Sequence, residues 1–326
     1  MEAYLNQHLN HEAYVTALYQ ALLGRDPDSA GLAGYVALLS DTQDHTLPLA
    51  LIMNSPEYRE RTARVSSNRL EALAKAAHVG LGRRPRIVDV GAQLLGTNPY
   101  DPLRPFMDLD VVGFDPLEDR MAERASAEIS DGLILLPYAV GDGGMHTLHV
   151  NDPDATSSLF PLFHSHNAPF RDLRELRTVY TQQVQTRRLD DVLEPGPVDF
   201  LKLDVQGAEL MVLQGAENVL ASTAIVHTEV EFAPIYEGQP LYPDIHNFLS
   251  ERGFSLIDLI NPHRYHYAAE LGANCSDRLL WADAVFFRET SDNQTLLAQA
   301  LCAAAIYNKS SLATFLLERA GIAVAK

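Results

Sequence analysis

Five short apolar runs set the limits on how this chain folds: Arg86–Val90, Asp110–Phe114, Leu133–Leu136, Val198–Leu203 and Ala224–Val230. They lack strict alternation of apolar and polar residues, as strands buried on both faces do. The helical stretches between them are what parallel neighbours need, because a parallel crossover takes a dozen or more residues. The expected architecture is therefore α/β, a mostly parallel sheet with helices on both faces. Phe254–Ile260 and Ala282–Phe287 are expected to add an antiparallel, hairpin-like edge.

The flanks read differently. Tyr14, Leu18, Ala21 and Leu22 recur at helical spacing until Gly24 and Asp26-Pro27-Asp28 end the run. Ser29 opens a second helix carrying Leu32, Tyr35, Val36 and Leu39. A third, Pro48–Met53, stops at Asn54-Ser55-Pro56, where Ser55 suits a cap and Pro56 the first turn of the next helix. No cluster of ionisable residues there suggests chemistry, so a packing or docking module is expected. Arg64–His78 reads as a polar-to-amphipathic helix broken by Gly80–Pro85, and residues 293–325 return to helix with a break at Asn308-Lys309-Ser310. The expected division is a helical module over 1–65, an α/β domain over 66–290 and a helical tail over 291–326.

Charge narrows the partners. With 25 Lys+Arg against 43 Asp+Glu the net charge is −18, which repels phosphate backbones and anionic lipid, so nucleic acid and membrane surfaces are not expected partners. The start, MEAYLNQHLNHEAY, has neither a basic n-region nor an apolar h-region. The longest apolar run, Ala300–Tyr307, is far short of the ~18 residues of a membrane span. Two cysteines, Cys275 and Cys302, do not make a disulfide framework. A cytoplasmic protein without a membrane span is expected. Leu297, Leu301, Ala304 and Ala305 form one stripe of the tail, expected either to cap the domain or to pair two subunits as a homodimer.

Candidates for ligand binding lie at the strand ends. The first strand runs into Asp89-Val90-Gly91-Ala92-Gln93, and a glycine there lets the backbone turn tightly toward a ligand. The second ends in Asp115-Pro116, where a carboxylate is placed to accept both hydroxyls of a ribose. Nicotinamide dinucleotides and S-adenosylmethionine both carry such a ribose. The run G-A-Q-L-L-G lacks the middle glycine that brings backbone to a pyrophosphate. An acid ahead of the first glycine suits the cationic amino-acid end of S-adenosylmethionine better. Taken alone, the motif is also compatible with a glycine turn that binds nothing.

Val198–Ala216 reads VDFLKLDVQGAELMVLQGA, preceded by RLDDVL at Arg188–Leu193, and His227–Pro240 reads HTEVEFAPIYEGQP. Together with DVGA and Asp115, these closely resemble the FkbM-type family of S-adenosylmethionine-dependent methyltransferases. The resemblance spans about Ile87 to Arg288 and includes LLWADAVFFR. It implies a class I methyltransferase fold, Rossmann-like, with a seven-stranded, mostly parallel sheet, and methyl transfer to a hydroxyl, often of a sugar or a natural product. It also implies that S-adenosylmethionine is held by Asp89, Gly91, Ala92, Gln93, Asp115, Ala139 and Asp204, with the Tyr138–Asp142 turn near the adenine. The N-terminal LLGRDPDSAGL and NSPEYRER resemble an uncharacterised bacterial helical module found beside glycan-related domains. Two positions depart from the family pattern. DVGAN-x-G becomes DVGAQLLGTNPY, with the next glycine delayed to Gly96. D-V-E-G becomes D-V-Q-G at Gln206, whose amide hydrogen-bonds but takes no proton.

Methyl transfer from a sulfonium is an in-line displacement, so positioning supplies much of the rate, and a hydroxyl acceptor needs a base or a metal. Asp204 and Glu229 end neighbouring strands and are expected to face the crevice that holds Gly91 and Asp115. His227, Glu229 and Glu231 share one strand face. Asp204, His227, Glu229 and Glu231 are thus the candidate catalytic residues. Asp204, Glu229 and Glu231 are also candidate oxygen ligands for Mg2+. Helix capping explains Asp204 or Glu231 nearly as well, and Glu209 reads better as favourable charge at a helix N-terminus.

A loop-rich insert over 145–185 holds His146, His149, His164 and His166 with Arg171, Arg174 and Arg177, and is expected to cover the acceptor flexibly. His164 and His166 would share a strand face for a metal, although scattered surface histidines explain them better. His263 and His266 are further candidate bases, and Trp281 is expected in the core. The acceptor is expected to be a small molecule or a glycan hydroxyl. Two other readings stay open: a cofactor-binding scaffold without catalysis, and a nicotinamide oxidoreductase.

Overall fold

The computed structural model describes residues 11–42, 44, 46–94, 96–128, 130–268 and 277–324. The chain divides into two compact units, Met1–Ala72 and Leu73–Lys326. In the first, α1 (His11–Leu23), α2 (Ser29–Thr42) and α3 (Thr46–Met53) enclose Val15, Tyr19, Leu39 and Ile52. Leu18, Leu22, Leu32, Tyr35 and Val36 pack around these, the three- and four-residue spacing of one helix face. Gly24, at φ 66°, ends α1. Ser55 Oγ accepts the Tyr58 N–H at 3.2 Å and so caps α4 (Pro56–Leu81).

That helix departs from expectation, since it runs unbroken where a separate helix beginning at Arg64 is expected. No proline or glycine interrupts it before Gly80, and its Arg, Glu, Ala and Leu residues are good helix formers. Residue 65 consequently lies inside α4.

The second unit holds a seven-stranded sheet in the order β3-β2-β1-β6-β7-β9-β8. Its members are β1 (Arg86–Val90), β2 (Asp110–Phe114), β3 (Leu133–Leu136), β6 (Phe200–Leu203), β7 (Ile225–Glu231), β8 (Phe254–Tyr265) and β9 (Arg278–Arg288). The first five run parallel, and β9 inserts antiparallel between β7 and β8. Burial at β1, β6 and β7 is nearly complete on both faces, which is why their sequences read as continuous apolar runs. Helix α5 (Glu118–Ala127) follows β2.

The 145–185 insert is not the loop-rich cover expected. Met145–Asp152 (β4) and Arg177–Gln185 (β5) pair antiparallel as a separate two-stranded sheet. Seven of the nine β5 residues are exposed, so no apolar run marks the strand. Arg177 opens β5, and Arg171 and Arg174 lie in turns before it. His164 and His166 fall in a four-residue helix, His164–Asn167, where positions two apart do not face one another. This removes the shared strand face a metal would use.

The tail forms two helices, Asn293–Ala305 and Ser310–Arg319, with Asn308 at φ 54° between them. Leu296 through Ala304 are all buried, and Gln299 Nε2 donates to the carbonyls of Ala224 (3.0 Å) and Arg288 (2.8 Å). The Leu297–Leu301–Ala304 stripe is therefore covered within the chain and is not a free surface for a homodimer. Cys302 is a buried free thiol, and Cys275 lies outside the described residues. No helix among the described residues is long and apolar enough to cross a membrane.

Candidate active site

Two clefts adjoin at the C-terminal ends of the parallel strands. One spans about 730 Å³, open solvent at its mouth included, and is lined by Gly91, Gln93, Asp115, Tyr138, Ala139 and Asp204. The other, about 2000 Å³ with open solvent included, is lined by Lys202, His227, Glu229, Tyr236, Trp281 and Asp283. Gln93, Ala155, Asp204 and Gln206 line both, so groups bound in the two clefts meet at Asp204 and Gln206.

Gly91 shapes the first cleft. Its φ is 78°, and a Cβ there would drive deep into the Asp204 carbonyl, so only glycine lets the end of β1 pass this close to β6. The N–H groups of Gly91 and Ala92 both donate to the Phe114 carbonyl, which draws β2 to the same end. That places Asp115 in the cleft, only 7% exposed and bonded to the Leu117 N–H at 2.8 Å. Burial pushes its carboxyl up to about 6, against the pull of that N–H. An acid buried beside a cleft fits ribose hydroxyls, and the glycine turn leaves the backbone open beside it; these residues fit an adenosyl cofactor.

Asp89 and Ala92, expected at the cofactor, line neither cleft. Asp89 is fully buried, accepting from Tyr100 Oη and Arg124 Nη1 at 2.8 Å each, with Lys202 Nζ at 3.2 Å. Burial works to raise its carboxyl, but Lys202 and Arg124 outweigh it and hold Asp89 below the usual range. The role expected for a ligand's cationic end is taken by the chain's own cations. The Ala92 carbonyl likewise accepts from Arg124 Nη1, at 2.9 Å.

Asp204 stands at the junction with its side chain 38% exposed. Lys202 Nζ lies 3.5 Å from Oδ2, and Gln206 Nε2 donates to Oδ1 at 3.1 Å. Gln206 is held at φ 56°, a left-handed conformation uncommon outside glycine. Its amide also donates to Glu229 Oε2 at 2.9 Å and accepts from Tyr236 Oη at 2.9 Å, while its carbonyl accepts from Ser158 Oγ at 2.6 Å.

Glu229 and Glu231 are buried and their carboxyls stand well above the usual range. Burial is the main cause for both, followed by Asp204 for Glu229 and Glu209 for Glu231. Glu209, bonded to the Val205 N–H at 2.8 Å, is raised to about 7 by its own burial. Glu231 lines neither cleft. Burial thus disfavours the charged form of both Glu229 and Glu231. The expected Mg2+ set does not fit, because the Gln206 amide N–H occupies the space between Asp204 and Glu229. No group of three or more His, Cys, Asp and Glu side chains suited to a metal ion occurs among the described residues.

His227 lies at the wall of the second cleft, its Nδ1 3.1 Å from Tyr307 Oη and its Nε2 3.7 Å from Asp283 Oδ2. Burial works to raise Asp283, yet its bond to His227 and that from Asn261 Nδ2 (2.8 Å) hold it low. The pairing of β9 sets this wall: Glu229 lies opposite Asp283 and Glu231 opposite Trp281, with His263 of β8 beyond Trp281. Trp281 packs, as expected, against a buried cluster that includes Leu173, Ile235 and Leu280, and it also lines the cleft, stacked on His263 with ring centroids 3.6 Å apart. His266 lies 3.8 Å from Asp172 and lines neither cleft.

Sequence reasoning missed Lys202, Tyr236, Asp283 and Tyr307 as site residues. A lysine inside the apolar LKLD strand and an aspartate inside LLWADAVFFR were the available signals, since buried charges are rare without a partner.

Residues 90–256 match the methyltransferase FkbM domain, and residues 2–62 match a domain of unknown function (DUF4214). The 2-O-methyltransferase NoeI of Sinorhizobium fredii (strain NBRC 101917 / NGR234) is 31% identical over 168 residues, 48% of this chain and 67% of that protein. Among solved structures, the magnesium protoporphyrin IX methyltransferase of Synechocystis PCC 6803 with bound SAM aligns with 13% identity and a TM-score of 0.33, over 87% of this chain and 99% of that one. The matched domain starts at the end of β1 and includes Gly91, Asp115, Asp204 and Glu229, and the chain belongs to the FkbM family of S-adenosylmethionine-dependent methyltransferases, preceded by a DUF4214 module.

Proposed function

We propose that the protein transfers a methyl group from S-adenosylmethionine to a hydroxyl oxygen of a sugar. The observation that carries this reading is Asp204, a partly exposed carboxylate where the two clefts meet. Gly91, Gln93, Asp115, Ala139 and Asp204 hold the cofactor, which supplies a sulfonium methyl when bound. Asp204 takes the proton of the acceptor hydroxyl, and the Lys202 ammonium beside it supplies the countercharge. Gln206 and Tyr236 fix the direction of the Asp204 carboxylate, so the hydroxyl meets a preset base. Glu229, at the wall of the second cleft, offers the acceptor a hydrogen bond. The relative NoeI, a 2-O-methyltransferase, supports oxygen as the receiving atom.

Calorimetry with S-adenosylhomocysteine tests the cofactor half. Wild type should bind, and Asp115→Ala should lose at least tenfold in affinity. For the chemical half, Asp204→Asn should keep S-adenosylhomocysteine binding within a few-fold while methyl transfer to sugar glycosides falls about 10²–10⁴-fold, the usual worth of a positioned base. Wild type that ignores S-adenosylhomocysteine, or an Asp204→Asn variant of full activity, would overturn the reading.

A further inference from the structure

We propose that the acceptor sugar reaches this enzyme free of phosphate, as a glycoside, and seats its ring against the stacked His263–Trp281 pair. This rests on the second cleft being the acceptor site. The two rings lie within 10° of parallel, and Trp281 Nε1 stands 3.5 Å from Tyr265 Oη, which braces the indole at its edge. Tyr236 and Tyr265 line the same cleft. Flat aromatic faces beside hydroxyl and carboxyl groups match a pyranose, which presents an apolar C–H face and a polar rim.

The charge of the cleft decides against an activated sugar. Among the described residues that line it, Asp101, Asp204 and Asp283 carry carboxylates besides the buried Glu229, and Lys202 is the one basic side chain besides His227 and His263. Lys202 is already committed: its Nζ donates to the Gly91 carbonyl at 2.7 Å and lies within 3.5 Å of both Asp89 and Asp204. A sugar diphosphate needs arginine forks, free lysines or a helix N-terminus to offset its charge. It would meet none of these cations here, and the chain's net charge of −18 repels it further. The reaction that supplies the substrate is therefore a glycosyl transfer that has already released the nucleotide, and methylation follows it.

Trp281 is the only tryptophan in the sequence, so its emission reports ring seating directly. Full-length protein saturated with S-adenosylhomocysteine would be titrated with methyl glycopyranosides of hexoses and 6-deoxyhexoses, and with the matching nucleoside diphosphate sugars. At least one glycoside should change the emission saturably, with its nucleotide-linked counterpart at least tenfold weaker. By calorimetry, Trp281→Ala should weaken that glycoside at least tenfold and leave S-adenosylhomocysteine affinity unchanged. Equal or tighter binding of a nucleotide sugar, silence of the emission across all glycosides, or an unaffected Trp281→Ala variant would each overturn the proposal. Failure of the methyltransfer reading is distinct, because it shows as lost S-adenosylhomocysteine binding in the wild type.

Discussion

Asp115 and Glu209 are both buried carboxyls, but one faces a cleft and the other the protein. In the proposed cofactor site Asp115, raised to about 6, must be ionised to accept two ribose hydroxyls. Its protonation as pH falls through 6 should weaken S-adenosylhomocysteine, approaching tenfold per pH unit below that point. Calorimetry between pH 5 and 8 should show this in wild type and a flat, weak profile in Asp115→Asn. Glu209 acts on stability. Its pKa is about 7 in the folded chain against 4.5 for the free side chain, so the folded state holds more protons between these values. Stability is then lost as pH rises from 4.5 to 7 and stays reduced above. Glu209→Gln should accordingly gain on wild type by about 1–3 kcal/mol at pH 8 and little at pH 4.5, read by urea denaturation. Asp115 was legible because a strand end announces itself in the sequence. Asp89, in a motif just as legible, turns inward because Arg124 and Lys202 reach it from distant segments, and local pattern carries no trace of such partners.

The turn after β1 and the insertion of β9 position the site at the next level. Gly91 and Gly238 share nearly the same φ, 78° and 77°, yet a Cβ at Gly238 would meet open space while one at Gly91 would strike the Asp204 carbonyl. Gly91→Ala should therefore destabilise by more than about 3 kcal/mol, and Gly238→Ala by only about 1 kcal/mol, as urea midpoints would show. The parallel strands were readable since burial on both faces leaves continuous apolar runs. The β4–β5 pair was not, because its exposed residues erase that signal. The wall of the second cleft was also hidden: Asp283 and Trp281 reach it only because β9 enters between β7 and β8, a pairing that local sequence does not encode.

The two units and the tail differ in what removing them should do. A chain of residues 56–326 keeps all of α4 and every residue of both clefts, and should bind S-adenosylhomocysteine within about threefold of the full chain by calorimetry. Ending the chain at residue 290 removes a helix buried from Leu296 to Ala304 and with it the Gln299 bonds to Ala224 and Arg288. Losing that much buried apolar surface, at about 1.5–3 kcal/mol for each large side chain, exceeds the usual margin of about 5–15 kcal/mol. That product should show no cooperative melt. The tail is also part of the site, since its Tyr307 bonds His227. Fold class, the parallel strands themselves, the glycine turn and the acid at the end of β2 were all present in the chain read as text, for each depends on burial pattern or on neighbours a few residues away. Which carboxyls burial raises, which lysine is consumed by the protein itself, and which aromatic rings line the second cleft depended on strands brought together across long sequence separations. Charge and stacking act through space, and the distances that set them exist only once the sheet has closed.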